Sequence, residues 1–282
     1  MFNRQKAVLH LVELAGGTID RLVLTKWAFL VRRETESRGG GSFYDFVPYH
    51  YGPFSFGLYH EAAKLVAQGY LRETDSGWGR GPASAPLPEP DLQNELKRLT
   101  DRLRRLSVEA LLDYVYERYP RFTINSQRRR LATRPTASLA VYTAGYEGLC
   151  IDGFLDLLTR TGITHVIDVR RNPVARRYGF HRSTLARLLE RLGLQYSHVP
   201  ALGIASEQRR RLETAQDYQA LFQDYEGTTL QTETVAIGTV ANWVTRSPSV
   251  LICRETDPHC CHRGRLADPV SRITGLPVVH LG

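Results

Sequence analysis

Two stretches of this chain gather carboxylates, guanidinium groups and soft ligands directly behind apolar runs. Val166-Ile167-Asp168-Val169 leads into Arg170-Arg171-Asn172-Pro173 and then Arg176-Arg177-Tyr178-Gly179-Phe180-His181. Val250-Leu251-Ile252-Cys253 leads into Arg254-Glu255 and then His259-Cys260-Cys261-His262-Arg263. If Asp168 and Glu255 share one rim, one carboxylate can activate water while the other, or an arginine, stabilises the charge that develops. Hydrolysis of a glycosidic or phosphoester bond fits such a set, and Glu147 and His262 complete the candidate catalytic group. Arg170, Arg171, Arg176 and Arg263 would hold phosphates bidentately, with Tyr146 or Phe180 stacking on a base. The plain alternative is that Asp168 and Glu255 pair with arginines and satisfy buried loops.

Cys253, Cys261 and His262 are the candidate metal ligands. A structural zinc site needs paired ligands from two segments, and only one segment offers them, so no cofactor is expected and zinc is the weaker reading. Cys253 ends an apolar run and reads as a small buried hydrophobe. Cys261, beside His262 and Arg263 at a helix start, reads alternatively as a thiol of low pKa. Gly145 and Gly148 stand where backbone could approach a phosphate, although such a pair usually serves only the turn. His198 and His280 lie on apolar runs and read as core histidines.

Elements must carry these groups. Short apolar runs at Leu139 to Thr143, His165 to Val169, Tyr196 to Val199, Val250 to Cys253 and Val278 to Leu281 read as strands. Helical patterns lie between them at Ile151 to Thr161, Ser183 to Leu192, Glu207 to Tyr225, Thr234 to Thr245 and Gly264 to Ile273. That alternation predicts an α/β domain over 136–282, a mostly parallel sheet with helices on both faces and its site beyond the strands' carboxyl ends. Over 1–135 the pattern is mainly helical. Asp20 and Ser55 can cap helices, Gly69 ends one, and Tyr70 to Thr74 reads as a strand entering a Gly- and Pro-rich stretch from Ser76 to Pro90. This is the order of a winged helix-turn-helix. A leucine stripe, Leu92 to Leu106, follows and reads as a packing face. Ser107 restarts a helix that Pro120 closes, and the basic run Gln127 to Arg130 reads as a linker.

The net charge of +8 and pI near 9.5 favour a polyanionic partner, DNA above all. Lysine occurs only at Lys6, Lys26, Lys64 and Lys97, so the arginine excess also fits a GC-rich coding bias. Four cysteines, two of them adjacent, are not a secreted disulfide framework. Without a signal-like apolar start or an apolar stretch of about 18 residues, the expectation is a cytoplasmic protein with no membrane partner. The sequence is silent on oligomeric state.

Tyr142-Thr143-Ala144-Gly145-Tyr146-Glu147-Gly148, Ile167-Asp168-Val169-Arg170-Arg171-Asn172-Pro173, Tyr196-Ser197-His198-Val199-Pro200-Ala201-Leu202-Gly203, and Cys253-Arg254-Glu255 with Cys261-His262-Arg263 resemble the domain of unknown function 488 family. Ile204 stands where that family usually has a second glycine, and Cys260 is an extra cysteine. The resemblance implies a nucleic-acid-associated protein with a link to DNA repair or base excision. Tyr51-Gly52-Pro53, the helix after it and Gly69-Tyr70-Leu71 are similar to the Panacea-type antitoxin domain. The Asp168-Val169-Arg170 strand end is also similar to rhodanese-like and phosphatase-like domains, but Cys253 and Arg263 lack the spacing of their cysteine loop. The expectation is a nucleic-acid-directed hydrolase, a DNA-base glycosylase ahead of a nuclease, in repair or defence. The alternative is a non-enzymatic DNA-binding regulator or antitoxin-like protein whose α/β domain binds a nucleotide or anion.

Overall fold

Side-chain caps set where the early helices begin. In the computed structural model, which describes residues 1–209, 212 and 214–282, the Asp20 carboxylate accepts from the amides of Leu22 at 2.7 Å and Val23 at 3.3 Å. Ser55 accepts from Leu58 N and Ser107 from Ala110 N, each at 3.1 Å. These bonds satisfy amides that have no partner inside the helix. The elements run α1 (Asn3–Leu14), β1 (Thr18–Asp20), α2 (Arg21–Glu34), β2 (Val47–Tyr49), β3 (Gly52–Phe54), α3 (Phe56–Ala67), β4 (Leu71–Glu73), β5 (Gly77–Arg80), α4 (Pro90–Leu103) and α5 (Val108–Arg118). Strand β5 lies between β1 and β4 and is antiparallel to both, while β2 and β3 pair separately.

Leu92, Leu96, Leu99 and Leu103 of α4 pack into the core with Leu11 and Val12 of α1 and Phe29 of α2, as a packing face should, while Leu106 lies beyond the helix and is exposed. Strand β1 had no sequence signal, because three residues are too few for alternation to register. The basic run expected to be a linker is tied down. Gln127 N donates to His50 O at 2.8 Å, Leu131 N to Thr123 Oγ1 at 2.8 Å, and Arg128 and Arg129 pair with Asp113.

Met1–Thr133 forms one compact unit and Arg134–Gly282 a second. The second contains β6 (Val141–Gly145), α6 (Ile151–Thr161), β7 (His165–Asp168), α7 (Arg182–Arg191), β8 (Gln195–His198), α8 (Ala215–Gly227), α9 (Thr229–Thr232), α10 (Thr234–Arg246), β9 (Ser249–Cys253), α11 (His262–Thr274) and β10 (Val278–Leu281). The helix expected from Glu207 to Tyr225 falls partly on residues 210, 211 and 213, outside the described residues. Within the rest, a short 3-10 turn (Ser206–Arg209) precedes α8.

All five strands are parallel, in the order β10-β6-β9-β7-β8. The chain moves outward through β7 and β8, then returns to place β9 between β6 and β7. Right-handed crossovers therefore put α6 and α7 on one face and α10 and α11 on the other. Val141, Ile167 and Leu251 pack with Ile237, Val240, Leu266 and Val270 of α10 and α11. The alternate residues Val166, Val250 and Ile252 are equally buried, so both faces are covered. Connections leave β9 and its two neighbours toward opposite faces, and a crevice opens at such carboxyl ends. No helix among the described residues is long and apolar enough to cross a membrane.

One cation lies inside the first unit. Lys26, only 2% exposed, donates to Pro53 O at 2.8 Å, and burial pulls its pKa from 10.5 down to about 7. Between pH 7 and 10.5 the unfolded chain holds a proton on this amine that the folded chain releases, so stability rises with pH across that window. We expect urea unfolding followed by Trp27 and Trp78 fluorescence to show a gain of about 2 kcal/mol from pH 7 to pH 9. Lys26→Met should flatten that slope.

Candidate functional site

The pleat separates the two strand ends that the sequence singles out. Asp168 is in register with Ile252, and Cys253 with Gly145. Successive residues point to opposite faces, so Asp168 looks toward the α6 and α7 face and Cys253 toward the α11 face. Asp168 and Glu255 thus belong to two centres and not to one rim.

On the first face Asp168 is fully buried and its oxygens are saturated. Oδ1 accepts from Arg170 N at 3.1 Å and Nε at 2.8 Å; Oδ2 accepts from Arg170 Nη2 at 2.5 Å and Tyr196 Oη at 2.7 Å. Arg170 also donates through Nη1 to Tyr146 Oη at 2.8 Å and Phe180 O at 3.0 Å. His198 Nε2 donates to Arg170 O at 2.8 Å. Burial alone would lower the pKa of the Arg170 guanidinium, but the Asp168 carboxylate outweighs it and holds the group firmly charged. Burial, then the Asp168 charge, pushes the Tyr196 phenol up. Tyr146 and Phe180 stack on each other with centroids 4.1 Å apart, both inside the core. One face of each ring is spent on the other and burial covers the rest, which leaves no face for a base.

On the second face four side chains converge. Cys253 Sγ and Cys261 Sγ each lie 3.1 Å from Glu255 Oε2. His262 Nδ1 lies 3.6 Å from Cys253 Sγ and 3.9 Å from Cys261 Sγ. His262 Nε2 donates to Val169 O at 3.0 Å, which turns the Nδ1 lone pair toward the sulfurs. Burial, then its hydrogen bond with Cys253, pushes the Cys261 thiol up, which corrects the expectation of a low-pKa thiol. Arg263 is buried and donates to the carbonyls of Glu255 and Thr256, so it supports the backbone that carries Glu255.

The loops after β6 and β9 are stitched together. Tyr146 N and Glu147 N donate to Arg254 O at 3.1 and 2.8 Å, and Thr256 Oγ1 donates to Glu147 O at 3.0 Å. Gly145 makes this approach possible, since a Cβ there would sit 1.9 Å from Glu255 O. Gly203 has the same use, because its Cβ would meet Arg171 N at 2.1 Å. The two glycines of Gly145-Tyr146-Glu147-Gly148 serve packing and the turn.

A cavity of about 220 Å³ adjoins the second centre, walled by Ile204, Tyr218 and Phe222 and by the polar Arg254, Glu255 and His262. Glu147 is exposed and pairs with Arg254 at 3.3 Å. Arg171, Arg176, Arg177 and Arg182 are exposed along the segment that leaves β7. A larger cavity of about 960 Å³, lined by His165, Gln195 and Trp243, lies at the amino ends of β7 and β8. Ligand sites of parallel sheets form at the opposite ends, so the smaller cavity is the candidate site. The sequence reading missed the α8 wall, for which no residue type gives a signal, and the part of Tyr196 in holding Asp168.

Residues 150–270 match the family model described as Domain of unknown function DUF488. No curated protein and no solved structure matches the chain. The DUF488 span holds both polar centres from Asp168 to His262, while Gly145 and Tyr146 stand before its start.

Removing one partner of a buried ion pair leaves the other uncompensated, at a cost of about 3–5 kcal/mol. Asp168→Ala and Arg170→Met should each destabilise the second unit by that order in urea unfolding. Asp168→Leu combined with Arg170→Met should recover most of the loss.

Proposed function

We propose that the protein is a nucleic-acid-directed hydrolase that acts at a base, with its reaction centre at the end of β9. The observation that carries this reading is Glu255, a carboxylate beside the Cys253 and Cys261 thiols that lines a cavity walled by Phe222 and Tyr218. A flat ring suits the aromatic wall, Arg254 suits a flanking phosphate, and Glu255 takes the proton of the attacking water. Asp168, Arg170 and Arg263 serve as positioning residues in this reading. Arg171, Arg176, Arg177 and Arg182 are the cations left to meet a backbone.

The first unit fits a winged helix that brings the second to DNA. Its order of α1, β1, α2, α3, β4 and β5, with the β2–β3 hairpin inserted between α2 and α3, suits that fold, with α3 as the groove-facing helix and the β4–β5 turn as the wing. The solvent face of α3 carries Ala63, Lys64, Ala67 and Gln68, and Arg72 and Arg80 are exposed on the strands. A regulator or antitoxin-like protein is the second reading. It is favoured by the internal use of Tyr146, Arg170, Phe180 and Arg263, which leaves few groups for chemistry.

Duplexes and single strands carrying uracil, mismatches or oxidised bases provide the test. Base or strand release by the wild-type protein should fall at least about 100-fold in Glu255→Gln. Lys64→Ala with Arg72→Ala should weaken binding and flatten its salt dependence. Salt-dependent DNA binding with no turnover would favour the regulator. Release that survives Glu255→Gln would sink the assignment of the centre.

A further inference from the structure

We propose that Cys253, Cys261 and His262 bind a divalent transition-metal ion of the zinc class. Metal–sulfur bonds of about 2.3 Å and metal–nitrogen bonds of about 2.0–2.1 Å put neighbouring corners of a tetrahedron roughly 3.5–3.8 Å apart. His262 Nδ1 stands 3.6 and 3.9 Å from the two sulfurs. The sulfur and nitrogen atoms all lie within 4.8 Å of one another, and Glu255 Oε2 caps both sulfurs at 3.1 Å. Three ligand atoms of three residues therefore surround one point, with the fourth corner open.

The surroundings fit an ion better than they fit hydrogen bonds alone. The Val169 carbonyl fixes the imidazole with Nδ1 free of hydrogen, the outer contact typical of a metal-bound histidine. Cys253, Cys261 and His262 are buried, and sulfur with nitrogen selects zinc over magnesium or calcium. Two thiolates are balanced by a dication. The ligands also come from two elements, since Cys253 ends the central strand while Cys261 and His262 open α11. Cys261 and His262 line the cavity, so the fourth corner is left for an oxygen that enters from that side.

This inference stands apart from the hydrolase reading, and metal content is read without any nucleic acid. The full chain, supplied with zinc and dialysed against metal-free buffer, should retain about one ion per chain. Cobalt in its place should give a thiolate charge-transfer band in the near ultraviolet and the visible bands of a tetrahedral site. Cys253→Ser and Cys261→Ser should each lose the ion and the band, while Cys150→Ser and Cys260→Ser keep both. His262→Cys, which retains a ligand, should keep cobalt with a shifted band, so that loss of binding is not confused with loss of fold. A wild-type chain that keeps no metal would overturn the proposal, whether its thiols titrate as free or Cys253 and Cys261 are joined in a disulfide. So would binding that is indifferent to both serine substitutions.

Discussion

A carboxylate and a guanidinium taken out of water hold the carboxyl side of the parallel sheet in place. Desolvating such a pair costs several kcal/mol per ion, and only close geometry with additional hydrogen bonds offsets it. Asp168 and Arg170 meet that condition by recruiting Tyr196, Tyr146 and the Phe180 carbonyl, so the pair orders three other segments in satisfying itself. It also fixes the backbone between its two members. Val169 lies there, and its carbonyl sets the tautomer of His262 on the other face. The cysteine–histidine–glutamate centre thus inherits its geometry from an ion pair that it does not touch.

The return of the chain to the middle of the sheet explains why two centres exist. Strand β9 has β6 and β7 as neighbours, and crossovers on opposite faces leave its carboxyl end uncovered. The pleat then assigns roles. One face receives a saturated polar cluster, rigid and closed. The other receives soft ligands and a carboxylate beside a cavity, where a ligand has room to approach.

Much of this was legible in the residues, for reasons that differ by element. Ile151 to Thr161 and Val278 to Leu281 match observed elements residue for residue, because apolar periodicity and clear stops bound them. The motif positions of Asp168, Cys253, Glu255 and His262 were equally plain. Their partition between faces was not, since it depends on Asp168 standing opposite Ile252, and register between distant strands leaves no local mark. The grouping of Cys253, Cys261 and His262 was hidden because Cys253 to Arg263 was counted as one segment. The Cys261 amide donates to Pro258 O at 3.3 Å and His259 N to Asp257 Oδ1 at 2.8 Å. Those turns fold the stretch back on itself and supply the second side.

Gly145 carries a consequence for anyone who would transplant this centre. The Glu255 carbonyl occupies the space where a side chain at 145 would begin, so the loop and the neighbouring strand are portable only as a pair. A graft of Cys253 to Arg263 onto another parallel sheet would need a glycine at the matching place on the adjoining strand. With any larger residue there, the cysteine and histidine side chains would be moved along but their spacing would be left behind.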